Sequence, residues 1–192
     1  MRLHGKILML TIIVAMLAPV STSAVGPRLP KSAADWATFS LVERTAALES
    51  VRREFLRDQE LGNITWNAKQ STFSTLAQQG GGDCTIYWVG YPNGTFVRAQ
   101  GHVFITTDGP PASDIYVGKA TKTGQLLRDG VLKQTYYQQT SGVYSVDAIS
   151  SDDFKWWFEH ANYVNKVWLG AKTASGDWVV GPEAYCTVSQ FL

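Results

Sequence analysis

The chain has 192 residues, 45% hydrophobic and 12% aromatic, with 17 basic and 16 acidic side chains for a formal charge of +1. That balance lacks the basic footprint of a nucleic-acid binder. It also contains no block of like charge that would mark a polyanion groove or a membrane-surface patch.

Residues 1–24 read as a secretory signal peptide. Arg2 and Lys6 flank an apolar run over 7–20, and the small residues Ser21-Thr22-Ser23-Ala24 follow. The run of about 14 residues is short for a membrane span, which needs roughly 20. No later stretch is long and apolar enough to cross, so no span is expected after cleavage. The remaining ~170 residues suit a single domain. Both cysteines, Cys84 and Cys186, fall in this part, and export to an oxidising compartment makes their pairing the default. Asn63-Ile64-Thr65 and Asn93-Gly94-Thr95 are sequons, so Asn63 and Asn93 are candidate glycosylation acceptors.

Residues 25–62 form an N-terminal segment. Ser40 and Glu43 have the spacing of a capping box. Leu41, Leu48, Val51 and Phe55 then recur at helical intervals, and Gly62 is a stop signal. The spacing predicts an amphipathic helix over 41–61, which either packs on the domain or pairs with a second copy of itself. Residues 63–83, rich in Ser, Thr, Gln and Gly, read as a polar linker.

From Cys84 the period changes to two. Strands are expected at 84–91, 95–107, 114–120, 131–138, 143–149, 166–171 and 177–181. Turn signals separate them at Pro92-Asn93-Gly94, Asp108-Gly109-Pro110-Pro111, Lys122-Thr123-Gly124, Asp129-Gly130, Ser141-Gly142 and Ser175-Gly176. Residues 151–160 open either a short helix capped at Ser151-Asp152-Asp153 or an aromatic strand. Short strands at this spacing, with no alternating helices, predict a mainly β fold: an antiparallel sandwich or barrel over 84–192.

Catalytic vocabulary is sparse. Only His102 and His160 follow the signal segment, no G-x-S-x-G elbow is present, and paired cysteines leave no thiol nucleophile. Ligands at zinc or calcium spacing are lacking. Gly80-Gly81-Gly82 precedes a strand instead of following one, so no nucleotide-cofactor turn is expected. Neither catalytic residues nor a metal or cofactor site is assigned. What the chain does carry is seven Trp, eight Tyr and eight Phe. Most should be core. Tyr116 and Trp178, near Lys119 and Asp177, are candidates for a stacking platform. Arg98, Gln100 and His102 alternate on one strand face and could present donors to a ligand.

The stretch FVRAQGHVFITTDGPPASDIYVGKATKTGQLLRD resembles the domain named for farnesoic acid O-methyltransferase in invertebrate secreted proteins. Val97-Arg98-Ala99 with His102-Val103-Phe104-Ile105 stands for its first strand. Asp114-Ile115-Tyr116-Val117-Gly118 stands for its second, and Leu126-Leu127-Arg128 for the next segment. Residues 150–160 are similar to its aromatic block and 167–178 to its Gly-x-Trp ending. Gly101, Val117 and Lys119 depart from its pattern. The resemblance spans about 88–181 and implies a β-sandwich. By its name it also implies methyl transfer to a small apolar acid. YWVGYPNGTF and IYVGKATKTGQL are more weakly similar to natterin-type mannose-lectin repeats. The resulting expectation is a secreted, non-catalytic module that binds a glycan or an extracellular protein. The alternatives are a methyltransferase and a structural protein that forms homo-oligomers through the 41–61 helix.

Overall fold

A computed structural model of the protein describes residues 26–74, 80–105, 117–140, 145–173 and 178–192. The signal segment, the Asp108–Pro111 breaker and the turns at Ser141-Gly142 and Ser175-Gly176 lie outside the described residues. Among the described residues two helices, α1 (Ala33–Ala37) and α2 (Leu41–Glu60), precede nine strands. These are β1 (Asn67–Ser74), β2 (Gly80–Tyr91), β3 (Gly94–Ile105), β4 (Val117–Arg128), β5 (Val131–Thr140), β6 (Ser145–Ile149), β7 (Asp153–Trp156), β8 (Asn162–Thr173) and β9 (Trp178–Phe191). The expected mainly β, antiparallel sandwich is what forms. Sheet A runs β1-β2-β3-β6, with β7 also on β3, and sheet B runs β5-β4-β8-β9.

α2 begins where its capping box predicts. The Ser40 side chain accepts from the Glu43 N–H, and the Glu43 carboxylate accepts from the Ser40 N–H at 2.7 Å. It ends in a Schellman motif. Gly62, at φ +71°, donates to the Gln59 carbonyl and Asn63 donates to that of Asp58. The buried stripe is Ala47, Val51 and Phe55. Leu41 and Leu48, expected on that stripe, are exposed instead. Ala47, four residues before Val51, takes the inward place on the face that packs over sheet A. There Phe55 stacks on Phe96 with centroids 3.9 Å apart. Phe39, Val89 and Trp156 complete this second core.

The main core lies between the sheets. Odd residues of β3, Val97, Ala99 and Val103, face Leu126, Val167, Leu169 and Val188 of sheet B. The Cys84–Cys186 disulfide joins β2 to β9 across it. Asn165, fully buried, is the polar link. Its Nδ2 donates to the Thr85 and Gln100 carbonyls at 3.0 and 2.9 Å, while its Oδ1 accepts from the Tyr136 hydroxyl at 2.7 Å. Every polar atom of the amide therefore has a partner.

Several boundaries differ from the sequence reading. Residues 67–74, assigned to the linker, form β1 by pairing with β2 from Asn67↔Trp88 to Ser74↔Gly81. Backbone hydrogen bonding makes this strand, since its side chains do not alternate in hydrophobicity. Lys122-Thr123-Gly124 is no turn: β4 runs through it. Gly124 pairs with Tyr136, and a Cβ there would collide with the Tyr136 ring. The glycine makes room for an aromatic side chain. The β2–β3 loop is Pro92-Asn93 alone. Gly94 already belongs to β3, where a side chain would strike the Lys155 carbonyl oxygen of β7. Asp129-Gly130 is a true two-residue hairpin turn, both residues at positive φ. Of the two readings of 151–160, the strand is correct, as β7. Trp156 is buried and Trp157 exposed.

Candidate functional site

Each sheet has one face in the main core and one turned outward. On sheet A the outward residues of β3 are Phe96, Arg98, Gln100, His102 and Phe104. The sequence reading placed Arg98, Gln100 and His102 together, and the structure does so. It also gives each a partner. Arg98 donates from Nε and Nη2 to the two carboxylate oxygens of Asp152, at 2.7 and 2.9 Å, and its guanidinium lies 4.8 Å over the Trp66 ring. Such a bidentate, charge-assisted pair is among the stronger polar contacts. Gln100 donates to Asp147 at 2.8 Å. His102 Nδ1 lies 2.9 Å from the mostly buried Asp83 carboxylate. These donors tie β3 to β2, to β6 and to the segment before β7. Trp66, Tyr87, Arg98, Gln100 and Ile149 enclose a hollow of only about 150 Å³. A larger one of about 290 Å³ lies between α2 and β7, over Leu48, Phe96 and Phe154.

Beside it sits a second polar cluster. The Tyr163 hydroxyl donates to Asp153 at 2.7 Å, and Arg128 donates to Glu159 at 2.8 Å. Lys155, buried, donates to the Glu159 carbonyl at 2.9 Å. Burial holds the Tyr136 and Tyr163 hydroxyls well above the usual tyrosine range, and it pushes the Lys155 ammonium down. All three stand in satisfied structural networks.

The outward face of sheet B is of another kind. Strand alternation sends Tyr136, Val167 and Cys186 into the core and their neighbours Tyr137, Trp168 and Tyr185 out. The register puts these three in one transverse row: Tyr137 pairs with Thr123, Thr123 with Trp168, and Trp168 with Tyr185. They are 56, 37 and 44% exposed. Trp168 and Tyr185 have ring centroids 5.6 Å apart, and the Tyr137 hydroxyl bonds Gln139. The row crosses four strands, so it extends over three inter-strand spacings, about 14 Å. In the adjoining row, Gln125, Lys166 and Thr187 are register partners. A contiguous row of exposed rings interleaved with hydroxyl, amide and ammonium groups is a surface suited to an amphipathic ligand. It offers stacking and hydrogen bonding. No group of three or more metal-ligating side chains is assembled among the described residues.

The other predicted residues divide. Tyr116 and Asp177 lie outside the described residues. Lys119 and Trp178 are placed at backbone level on β4 and β9. Lys119 pairs with Lys172 of β8, and Lys172 with Trp178, so both stand in one row of sheet B. That row is four residues along β8 from Trp168, about 13 Å. Sequence reasoning missed Tyr137, Trp168 and Tyr185. The signal was there: a bridged, buried Cys186 fixes the parity of β9 and sends Tyr185 outward. Asn63 is exposed just after α2, and Asn93 is half-buried in its loop. No helix among the described residues is long and apolar enough to cross a membrane. No family model, curated protein or solved structure matches the chain.

Proposed function

We propose that the protein is a secreted, non-catalytic module that binds carbohydrate along the outer face of sheet B. The observation that carries this reading is the exposed row Tyr137, Thr123, Trp168 and Tyr185. Sugar rings present apolar C–H faces and hydroxyl edges together. Aromatic rings standing beside Thr123, Gln125 and Thr187 match both. Sheet A supports the same choice from the other side, because its donors already serve the fold. The leader-like N-terminus, the Cys84–Cys186 bridge and the exposed Asn63 sequon support export, with Asn63 the better placed glycan acceptor. The β-sandwich also agrees with the fold implied by the resemblance to the farnesoic acid O-methyltransferase-like domain.

A glycan-array screen of the purified chain tests the reading. Saturable binding to one sugar class should disappear in Trp168→Ala, while the variant loses no more than about 1 kcal/mol of stability in urea unfolding. Silence across the array, or full binding by the variant, overturns it. Capture of an extracellular protein through Trp168 would then replace sugar with a protein ligand.

A further inference from the structure

This inference rests on the carbohydrate reading of sheet B and narrows its ligand. The strands of sheet B carry Lys119, Lys122, Arg128, Lys133, Lys166 and Lys172 against one acid, Glu183. The chain as a whole is almost balanced, so this surplus is concentrated in one sheet. Arg128 is engaged by Glu159 at the sandwich end, and Lys122 is the register partner of the buried Leu169, so neither counts toward the face of Trp168. Lys133 and Lys166 form no ion pair with any described residue, and Lys166 stands on the face of Trp168, two residues away. On sheet A, by contrast, Asp152, Asp147 and Asp83 face Arg98, Gln100 and His102. A row of rings bordered by charge of one sign attracts a ligand of the opposite sign and steers its approach.

We infer that the ligand is an acidic polysaccharide of the polyuronate type. Its sugar faces stack on Tyr137, Trp168 and Tyr185, and its carboxylates meet Lys133 and Lys166. The chemistry favours a uronate chain over other polyanions. The cations are lysines, compact point charges, and no Arg fork is free on this face to hold phosphate or sulfate bidentately. They are also sparse: Lys133 and Lys166 are the lysines of this face without an ion pair among the described residues, which suits a chain with at most one charge per sugar better than a heavily sulfated one. Thr123, Gln125 and Thr187 among the rings want hydroxyl partners, which an acyl chain does not supply.

The experiment compares one oligosaccharide in two charge states, by calorimetry on the full chain. The probes are hexagalacturonate and its methyl ester, which keeps the backbone and removes the charge. The acid form should bind at least threefold more tightly, and the advantage should shrink as salt rises. Lys133→Ala with Lys166→Ala should erase about two- to fivefold of the affinity for the acid form, the size of exposed ion pairs. Binding of the ester should not move, and the Lys→Arg pair should restore the acid-form affinity. Trp168→Ala, with Tyr137→Ser as a second variant, should abolish both. Equal binding of acid and ester overturns the inference and leaves the carbohydrate reading standing. Tighter binding of a heparin hexasaccharide overturns the uronate assignment. Binding only to phosphatidylserine vesicles or a single-stranded oligonucleotide, or no binding to any probe, overturns both.

Discussion

The outer faces of the two sheets start from the same alternation and end differently. On sheet A, Phe96 is roofed by Phe55 of α2, and Arg98, Gln100 and His102 are each held by a carboxylate. On sheet B, Tyr137, Trp168 and Tyr185 remain open to solvent, and Lys166 has no described counter-ion. Scattered exposed apolar residues are ordinary, but three rings in one register row are not scattered. The difference teaches that chemistry-bearing residue types alone do not mark a site. The better-looking donors, on sheet A, are used up by folding. The plainer residues on sheet B remain available.

Stability measurements can break that contrast most directly. Phe55→Ala removes a fully buried ring between α2 and sheet A and should cost about 3–5 kcal/mol. Trp168→Ala, on the bare face, should stay within about 1 kcal/mol. Urea unfolding at constant m-value reads both. A Trp168 loss matching that of Phe55 would mean that sheet B's row is structural after all. Next in size is the covalent tie between the sheets. Replacing both Cys84 and Cys186 by Ala should cost about 2–5 kcal/mol. A loss below about 1 kcal/mol would show that packing and the Asn165 hydrogen bonds alone join the sheets.

Much of the frame is legible in the sequence, because it rests on local rules. The Ser40–Glu43 box, the Gly62 stop, the Asp129-Gly130 turn and the period-two strands are all written within a few residues. The errors share one physical origin, which is that distant partners decide. Lys122-Thr123-Gly124 reads as a turn until Tyr136, in the next strand, is seen to need the glycine's empty side. Residues 67–74 read as a linker because β1 is made by its backbone ladder with β2. Arg98 and His102 were correctly placed on one face. Their partners Asp152 and Asp83 stand 54 and 19 residues away, so nothing local showed that they were engaged. The aromatic row is a matter of register between four strands. Alternation gives each ring's side, but only pairing puts the three in line.

A smaller effect sharpens the contrast in electrostatic terms. Asp152→Asn keeps the shape but removes the charge opposite Arg98, whose side chain is only 23% exposed. A charge-assisted hydrogen bond of this kind is worth about 1.5–3 kcal/mol, and the loss should fall in that range. Lys166→Ala should change stability by no more than about 0.5 kcal/mol. Comparable losses in the two variants would show Lys166 to be engaged as Arg98 is.

The last prediction concerns how α2 is held to sheet A. The Tyr91 hydroxyl donates to Asp58 of α2 at 2.8 Å. Burial first, then that hydrogen bond and the charges of Asp58 and Glu54, push the phenol up to about 12. A pKa raised on folding stabilises the protein fully below the unfolded value near 10, and the contribution fades as pH rises through 12. Tyr91→Phe should therefore be less stable by about 1 kcal/mol at pH 7. The gap should close between pH 10 and about 12. The raised Tyr136 and Tyr163 lower stability across the same alkaline range, and the depressed Lys155 acts in the opposite sense. All three are common to both proteins and cancel in the difference. A gap that persists undiminished at the alkaline end would mean that the Tyr91 ring, packed against Phe55 and Phe96, holds the helix and its hydroxyl does not.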